Sequence, residues 1–532
     1  MRVLGIEGTA HTVSAGIVDG ERVLSNVSST YRPERGGIHP REASIHHFEN
    51  VTRVVKEALS AASLTMNDID LVAFSQGPGL GPCLRVVSTA ARALALKYRL
   101  PLLGVNHPLG HIEIGRKLSG ASDPVMLYVS GGNTQVIAHR YGRYRVFGET
   151  MDIGVGNLLD KVARDMGIPF PGGPEIERLA RDGRKLLHLP YSVKGMDTSF
   201  SGMYTATLRH IRKGERREDI AFSIQETAFS MLVEVLERAL YVLDKEEILL
   251  AGGVALNSRL REMVSSMARD AGVRAYMTDP KYCMDNGAMI AQAGLLMFTS
   301  GIRQRLEETG IQQRQRIDSV PAPWVAEVQG SGFSMVGAES RIEVLRFFSR
   351  EAITKRRLPK GYREAGLDTA LRRERTRNEA SILLRLMENG LPVPVLYDVD
   401  MEALSLTMER LHAVTLREYL MAHEGSAVME ALGSLVARMH SLGVSHGDLT
   451  TNNVLVGAEG QVWLIDPSMG SLAAGAEDTA TDVFLLYECL RSQHPEHQSL
   501  FSMFMEGYRK AGGDAQGVMR KIEEIEGRRR YV

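Results

Sequence analysis

Two histidines four residues apart, His107 and His111 in His107-Pro108-Leu109-Gly110-His111, are the residues best placed to do chemistry. On a helix this spacing puts both rings on one face, with the Cβ atoms about 6 Å apart, as a metal ion needs from ligands on neighbouring turns. Pro108 in the second position predicts that a helix begins here, because a first-turn proline loses no intrahelical hydrogen bond. The peptidase pattern H-E-x-x-H keeps a glutamate base between its histidines, but here Leu109 and Gly110 fill that interval. The spacing therefore suggests a metal site without a peptidase base. Two histidines are too few for a firm site. Asp285 is the third candidate, at the head of the apolar run Ala288 to Met297, although an aspartate there also caps helices routinely.

Glycine turns after apolar strands are the second kind of chemistry in view. They occur at Ile6-Glu7-Gly8-Thr9, at Tyr128-Val129-Ser130-Gly131-Gly132 and at Ala251-Gly252-Gly253-Val254. Such turns bring backbone N–H groups to a phosphate without obstruction from Cβ. The first two open similar segments. Val3 to Thr9, Val13 to Val18 and Arg22 to Val27 form a strand set with a turn at Asp19-Gly20. Met126 to Thr134, Gln135 to His139 and Tyr144 to Phe147 repeat it with a turn at Tyr141-Gly142. Helical periodicity follows over Ile45 to Ala62, Gly156 to Met166 and Ile220 to Tyr241. Two α/β lobes of one plan, with a nucleotide cleft between them, are expected.

The chain has 532 residues, too many for one core. A break near residues 310–333, rich in Gln, Pro and Gly, reads as a linker. The expected division is 1–325, a linker over 326–335, and 336–532. A net charge of −1 leaves no global field to draw the chain to nucleic acid or membrane, so any such contact is a local patch. Cys83, Cys283 and Cys489 lie far apart, which argues against a disulfide framework or a cysteine zinc site and suggests a reducing cytoplasm. No apolar run reaches the ~18 residues of a membrane span.

The motifs Ile6 to Thr12, Gln76-Gly-Pro-Gly-Leu-Gly-Pro82, His107 to His111, Tyr128 to Thr134 and Asp285 to Ala291 together resemble, in order, one family. It is the tRNA threonylcarbamoyladenosine synthase, the catalytic subunit of the KEOPS complex, with its actin/sugar-kinase-like (ribonuclease H-like) α/β fold. One departure is Glu7, where that superfamily usually has aspartate. The resemblance implies a metal, iron(II) or zinc, held by His107, His111, Tyr128 and Asp285. It implies substrate contacts at Tyr128, Val129, Ser130, Gly131, Gly132, Asp160, Gly173, Glu177 and Asn257. It also implies transfer of the threonylcarbamoyl group from threonylcarbamoyl-AMP to the exocyclic amine of the adenosine after the anticodon in ANN-decoding tRNAs. A metalloprotease or a nucleotide-regulated signalling scaffold is the rival reading.

The C-terminal part carries a second set of roles. His446-Gly447-Asp448 with Asn453 five residues after the aspartate is a kinase catalytic loop. Asp448 would orient the attacking hydroxyl or water, and Asn453 and Asp466 would hold Mg²⁺. Lys355 would reach the ATP phosphates and pair with Glu379. Gly337, Ala338, Glu339 and Ser340 stand in place of a glycine-rich ATP loop. Gly447 stands where most kinases have arginine, and Pro467-Ser468 follows Asp466 instead of Phe-Gly. Lys355 to Arg363, Arg375 to Ala380 and Gly527 to Val532 resemble the small KEOPS serine/threonine kinase, an α+β kinase-like fold related to the RIO kinases and fused to the synthase in some archaea. ATP and further KEOPS subunits are the partners this implies. The basic tail Arg528-Arg529-Arg530-Tyr531 is the expected tRNA contact.

Overall fold

The computed structural model describes residues 1–20, 22–32, 38–328, 340–493 and 499–529. They divide into two compact units, one over most of residues 1–331 and one over most of 332–529.

The first unit holds two five-stranded sheets of matching plan. Strands β1 (Arg2–Glu7), β2 (Thr12–Asp19), β3 (Arg22–Thr30), β4 (Leu71–Gly77) and β5 (Leu102–Asn106) run in the order β3-β2-β1-β4-β5. Strands β6 (Val125–Val129), β7 (Thr134–Arg140), β8 (Arg143–Glu149), β9 (Glu247–Ala251) and β10 (Arg274–Met277) run in the order β8-β7-β6-β9-β10. In each, two hairpin partners lie antiparallel on one side of the first strand and the later strand lies parallel on the other. The repeat expected from sequence is thus a structural duplication. Every residue of β4, β6 and β9 is buried, as strands covered on both faces must be.

Helices α1 (Pro40–Ala61) and α2 (Gly81–Tyr98) cover the outer face of the first sheet through Val51, Val54, Val87 and Ala91. Helix α3 (His107–Ser119) follows β5. Helices α4 (Val155–Asp165), α5 (Gly173–Ala180), α6 (Ser201–Arg212), α7 (Arg217–Leu243) and α8 (Ser258–Ala271) fill the interval around the second sheet, and α9 (Gly287–Thr299) returns to the first. One core cluster joins Leu71 and Leu103 of the first sheet, Met126 and Leu249 of the second, and Leu109, Ile112, Met289 and Ile290 of α3 and α9. Helix α3, which carries both histidines, and α9, which follows Asp285, are therefore both anchored in this core.

Helix α9 lies directly on the backbone of β2. A Cβ on Gly287 would fall 2.2 Å from the Gly16 nitrogen, and one on Gly16 would fall 2.3 Å from the Ala288 nitrogen. Neither contact can relax without moving the helix, and Asp285 is two residues before its start. Gly287→Ala is expected to destabilise the unit by about 1–3 kcal/mol, the range for overpacked cores, and to weaken metal retention because Asp285 moves with the helix. Urea unfolding and metal content check both effects.

Residues 310–325 are not a linker. Ile317, Val320, Ala322 and Val325 are buried in the same core, the Gln76 side chain donates to the Glu308 and Gly310 carbonyls at 2.9 and 2.7 Å, and Trp324 Nε1 donates to Glu113 at 2.9 Å. Polar and proline residues between these anchors hid them from a compositional reading. The expected linker, 326–335, lies mostly outside the described residues.

The second unit is α+β. Strands β11 (Ser340–Phe347), β12 (Arg350–Arg357), β13 (Leu396–Asp400) and β14 (Ser405–Glu409) form an antiparallel sheet in the order β11-β12-β14-β13. Helix α10 (Ala365–Glu388) accompanies it. A second sheet, β15 (Ala413–Thr415), β16 (Val454–Gly457) and β17 (Val462–Leu464), carries the catalytic loop on the approach to β16. Helices α11 (Ser426–Ser441), α12 (Ala476–Gln493), α13 (Ser499–Lys510) and α14 (Ala515–Arg529) complete the unit.

Candidate functional site

Helix α3 starts at His107, as its proline predicts, and the Asn106 side chain caps it by accepting from the Leu109 amide at 3.2 Å. Helix α9 is capped by Asn286, which accepts from the Met289 amide at 3.0 Å. The cap role open to Asp285 is thus taken by its neighbour, and Asp285 turns instead to the histidines. His111 Nε2 lies 3.3 Å and His107 Nε2 3.5 Å from the same Asp285 oxygen.

These separations fit a metal ion. A tetrahedron with bonds of about 2.0–2.1 Å has edges of about 3.3–3.4 Å, and one ligand atom from each of His107, His111 and Asp285 falls within 4.8 Å of the others. Tyr128 lies beside this cluster. Its ring centroid is 5.2 Å from that of His111, and its buried hydroxyl has no hydrogen-bond partner among the described residues. Burial pushes that phenol well above its ordinary pKa, and the charge of Asp285 pushes the same way. Burial also lowers the His111 pKa. Burial opposes charge on His107 too, but Glu7 and Asp285 outweigh it and hold that imidazole up at about 9. Two imidazoles, a carboxylate and a phenol suit zinc or iron(II) equally.

Sequence reasoning passed over Glu7 as a ligand-shell residue. Its carboxylate is fully buried, accepts from the Thr9 amide and hydroxyl at 2.8 and 2.7 Å, and lies 3.1 Å from His107 Nδ1. A carboxylate on the far nitrogen fixes the tautomer and orientation that leave Nε2 for a metal. The only sign in the sequence was that glutamate replaced the usual aspartate. The longer side chain spans the distance from β1 to α3.

The glycine turn after Tyr128 lies beside this cluster. Gly131 and Gly132 are exposed. The Ser130 amide is spent inside the turn, on the Asn133 carbonyl at 2.8 Å, and Val129 is in register with Thr134 in the sheet. Of the four expected phosphate-binding residues, the two glycines present the open backbone. The start of α4 packs tightly beneath them: a Cβ on Gly156 would lie 2.6 Å from the Ser130 carbonyl oxygen. Asp160 Oδ1 accepts from the Gly172 and Gly173 amides at 2.7 and 3.3 Å and so places the start of α5. Glu177 Oε1 accepts from the Ser258 amide at 3.1 Å and from its hydroxyl at 2.5 Å. Asn257 caps α8 through the Arg259 and Leu260 amides and donates to Gln225 at 3.0 Å. Its side chain is committed to the scaffold, which leaves its backbone and the preceding turn to meet a ligand.

His46-His47 reads in sequence as a pair without metal spacing, and His47 is fully buried on α1. Burial holds its imidazole down to about 4, with the His46 charge adding to the effect. Between that value and the unfolded value near 6.5, the unfolded chain binds a proton that the native state does not. Stability therefore rises with pH across this window and is lost on acidification. A contribution on the order of 2–3 kcal/mol is expected. His47→Gln is expected to flatten the urea-unfolding profile between pH 6.5 and 5; an unchanged slope would contradict it.

In the second unit Lys355 Nζ lies 2.8 Å from Glu379 and 2.6 Å from Asp466. Asn453 Nδ2 donates to the Asp448 carbonyl at 2.8 Å and to its carboxylate at 3.0 Å. Lys355, Glu379 and Asp466 thus form one polar cluster and Asp448 and Asn453 another, with the Ile465 amide before Asp466 donating to the Asn453 carbonyl at 3.1 Å. Ser340 pairs with Arg357 at the end of the sheet, while Gly337, Ala338 and Glu339 lie outside the described residues. Gly447 has φ +77°, and a Cβ there would fall 2.2 Å from the Met469 backbone. No side chain fits where other kinases carry arginine, because the segment after Asp466 lies against the loop. Asn378 on α10 pins that segment by donating to the Ser468 and Gly470 carbonyls at 3.0 and 2.8 Å. Two further residues were missed. Arg357 lies 2.5 Å from the second Glu379 oxygen and 3.8 Å from Asp466. Asp482, fully buried on α12, accepts from the His446 and Gly447 amides at 2.6 and 2.7 Å.

Comparison with known proteins places both units in known families. Residues 22–292 match the family model for tRNA N6-adenosine threonylcarbamoyltransferase. Over 532 residues, covering all of both chains, the protein is 56% identical to the probable bifunctional tRNA threonylcarbamoyladenosine biosynthesis protein of Thermoplasma volcanium. The chain belongs to this bifunctional tRNA threonylcarbamoyladenosine biosynthesis family. Proteins of the same description in Thermoplasma acidophilum and Methanothermobacter thermautotrophicus are 54% and 47% identical, again over the whole of both chains. Residues 317–498 match the model of the lipopolysaccharide kinase (Kdo/WaaP) family, which makes the second unit kinase-like. Among the described residues no helix is long and apolar enough to cross a membrane.

Proposed function

We propose that the first unit transfers a threonylcarbamoyl group from threonylcarbamoyl-AMP to the exocyclic amine of the adenosine following the anticodon in ANN-decoding tRNAs. The convergence of both Nε2 atoms on Asp285, with Tyr128 on the strand that leads into the Gly131-Gly132 turn, carries this reading. His107, His111, Tyr128 and Asp285 would hold the metal, which would supply Lewis-acid polarisation of the donor carbonyl. Gly131 and Gly132 offer amides to the phosphate. The second carboxylate oxygens of Asp160 and Glu177, the ones not spent on Gly172, Gly173 and Ser258, would accept from ribose hydroxyls. Glu7 acts through His107: it faces Nδ1, away from the metal side, and so orients the ring without serving as a water-activating base. A site without such a base spares the activated donor from hydrolysis.

The kinase-like unit binds ATP through Lys355 and Mg²⁺ through Asn453 and Asp466, with Asp448 orienting the nucleophile. It supports the transferase within a complex containing the other KEOPS subunits. Incubating the purified chain and those subunits with synthetic threonylcarbamoyl-AMP and ANN tRNA tests this. The modified nucleoside should appear by mass spectrometry and require the metal. Metal-dependent peptide cleavage with no modified nucleoside would overturn it in favour of a protease.

A further inference from the structure

We infer that the exposed basic face made by the end of α4, the loop before Leu187, the end of α6 and the start of α7 is the surface on which the tRNA backbone docks. This rests on the transferase reading above. Residues 209–219 hold five Lys and Arg and three acidic residues; Arg216 pairs with Glu218 and Asp219, and Glu215 pairs with Lys185, which leaves Arg209, Arg212, Lys213 and Arg217 as a local basic excess in a chain whose net charge is −1. Arg209, Arg212 and Lys213 share one face of α6 by their spacing, and Arg217 opens α7 just beyond. Arg164 and Arg184 join them. All six are exposed and none forms an ion pair with a described residue. Cations of this density without acidic partners repel one another, and a polyanion relieves that.

The elements that carry them are bound into one surface. Tyr204 on α6 donates to Asp165 at the end of α4 at 2.7 Å. The Arg184 and Lys185 amides donate to Asp219 in the first turn of α7 at 2.8 and 3.1 Å. The face therefore has a fixed geometry. It also has a fixed relation to the active site, because Arg164 lies one turn along α4 from Asp160. Arg209 to Lys213 cover about 6 Å of helix axis at 1.5 Å per residue, and Arg217 carries the face on to α7. Guanidinium groups take phosphates in paired hydrogen bonds, and RNA stems present phosphates and ribose hydroxyls, not base edges, to such a face. An adenosine in the cleft would thus have its flanking stem across this ridge.

The test uses the full chain with R209E, R212E and R217E combined, the matching Arg→Lys triple, and fluorescently labelled ANN tRNA titrated at several salt concentrations. The expected result is at least about a tenfold weaker Kd for the Glu triple, with the slope of log Kd against log salt reduced by about two to three. The Lys triple should stay within about threefold of the parent, and threonylcarbamoyl-AMP affinity should be unchanged in both. A Glu triple that binds tRNA like the parent, with the same salt slope, overturns the docking surface, and the face then serves an acidic protein or solvent alone. That result would leave the transferase reading standing if the parent still forms the modified nucleoside. A parent that binds no tRNA and forms no modified nucleoside overturns both.

Discussion

Asp285→Ala is expected to strip the metal from the first unit and to lower threonylcarbamoyl transfer by at least about a hundredfold. Removing the carboxylate leaves two imidazoles and a buried phenol, fewer strong donors than a closed site needs. It also removes the group on which both Nε2 atoms converge at 3.3 and 3.5 Å. Metal content by mass spectrometry and modified nucleoside per tRNA are the two readouts, and they should fall together. Glu7→Gln is the informative companion. It keeps the size and loses the charge that faces His107 Nδ1, and changes of this kind weaken metal sites by about 10–100-fold. Its transfer should recover at high metal concentration, whereas that of Asp285→Ala should not. Unchanged metal content in Asp285→Ala would place the metal elsewhere.

ATP turnover by the second unit is expected to fall by about 10²–10⁴-fold in Asp448→Asn, the range for removing a positioned acid or base. The substitution keeps the shape of the side chain that Asn453 holds at 3.0 Å. Folding should therefore be spared, and ATP binding as well. Arg357 separates positioning from chemistry. It holds one Glu379 oxygen while Lys355 holds the other. With Asn378 pinning the segment after Asp466, this keeps the Lys355–Glu379 pair formed without a phosphorylated loop. Arg357→Met leaves a buried carboxylate short of a partner, a cost of about 1–3 kcal/mol. It should raise the KM for ATP and lower kcat together, with partial rescue by Arg357→Lys. A wild-type KM and kcat in Arg357→Met would show that Lys355 alone sets the geometry.

Much of this was legible in the sequence because it is written in local pattern. Apolar runs ended by glycine marked β1, β6 and β9 and the hairpins beside the first two, but not β4, β5 or β10, and the four-residue histidine spacing with its proline marked the start of α3. The kinase loop was legible from spacing alone, since Asn453 must fall five residues after Asp448 for its amide to reach back. What was missed joins residues distant in the chain. Glu7 and His107 come from different strands' ends, and Asp482 is on a helix well beyond the loop whose amides it accepts. The choice between cap and ligand at Asp285 was likewise undecidable until Asn286 was seen to take the cap. The misread segment 310–325 shows the opposite failure. Its composition is that of a linker, but Ile317, Val320, Ala322 and Val325 bury themselves one at a time.

The most direct measurement is anomalous scattering at the iron and zinc edges from crystals of the full chain grown with metal and a non-hydrolysable threonylcarbamoyl-AMP analogue. The expected result is one strong peak at bonding distance from His107 Nε2, His111 Nε2, Tyr128 and Asp285, with the analogue's phosphate on the Gly131 and Gly132 amides. A peak elsewhere, or an analogue bound away from the glycine turn with that cluster empty, would contradict the site and the reaction assigned to it.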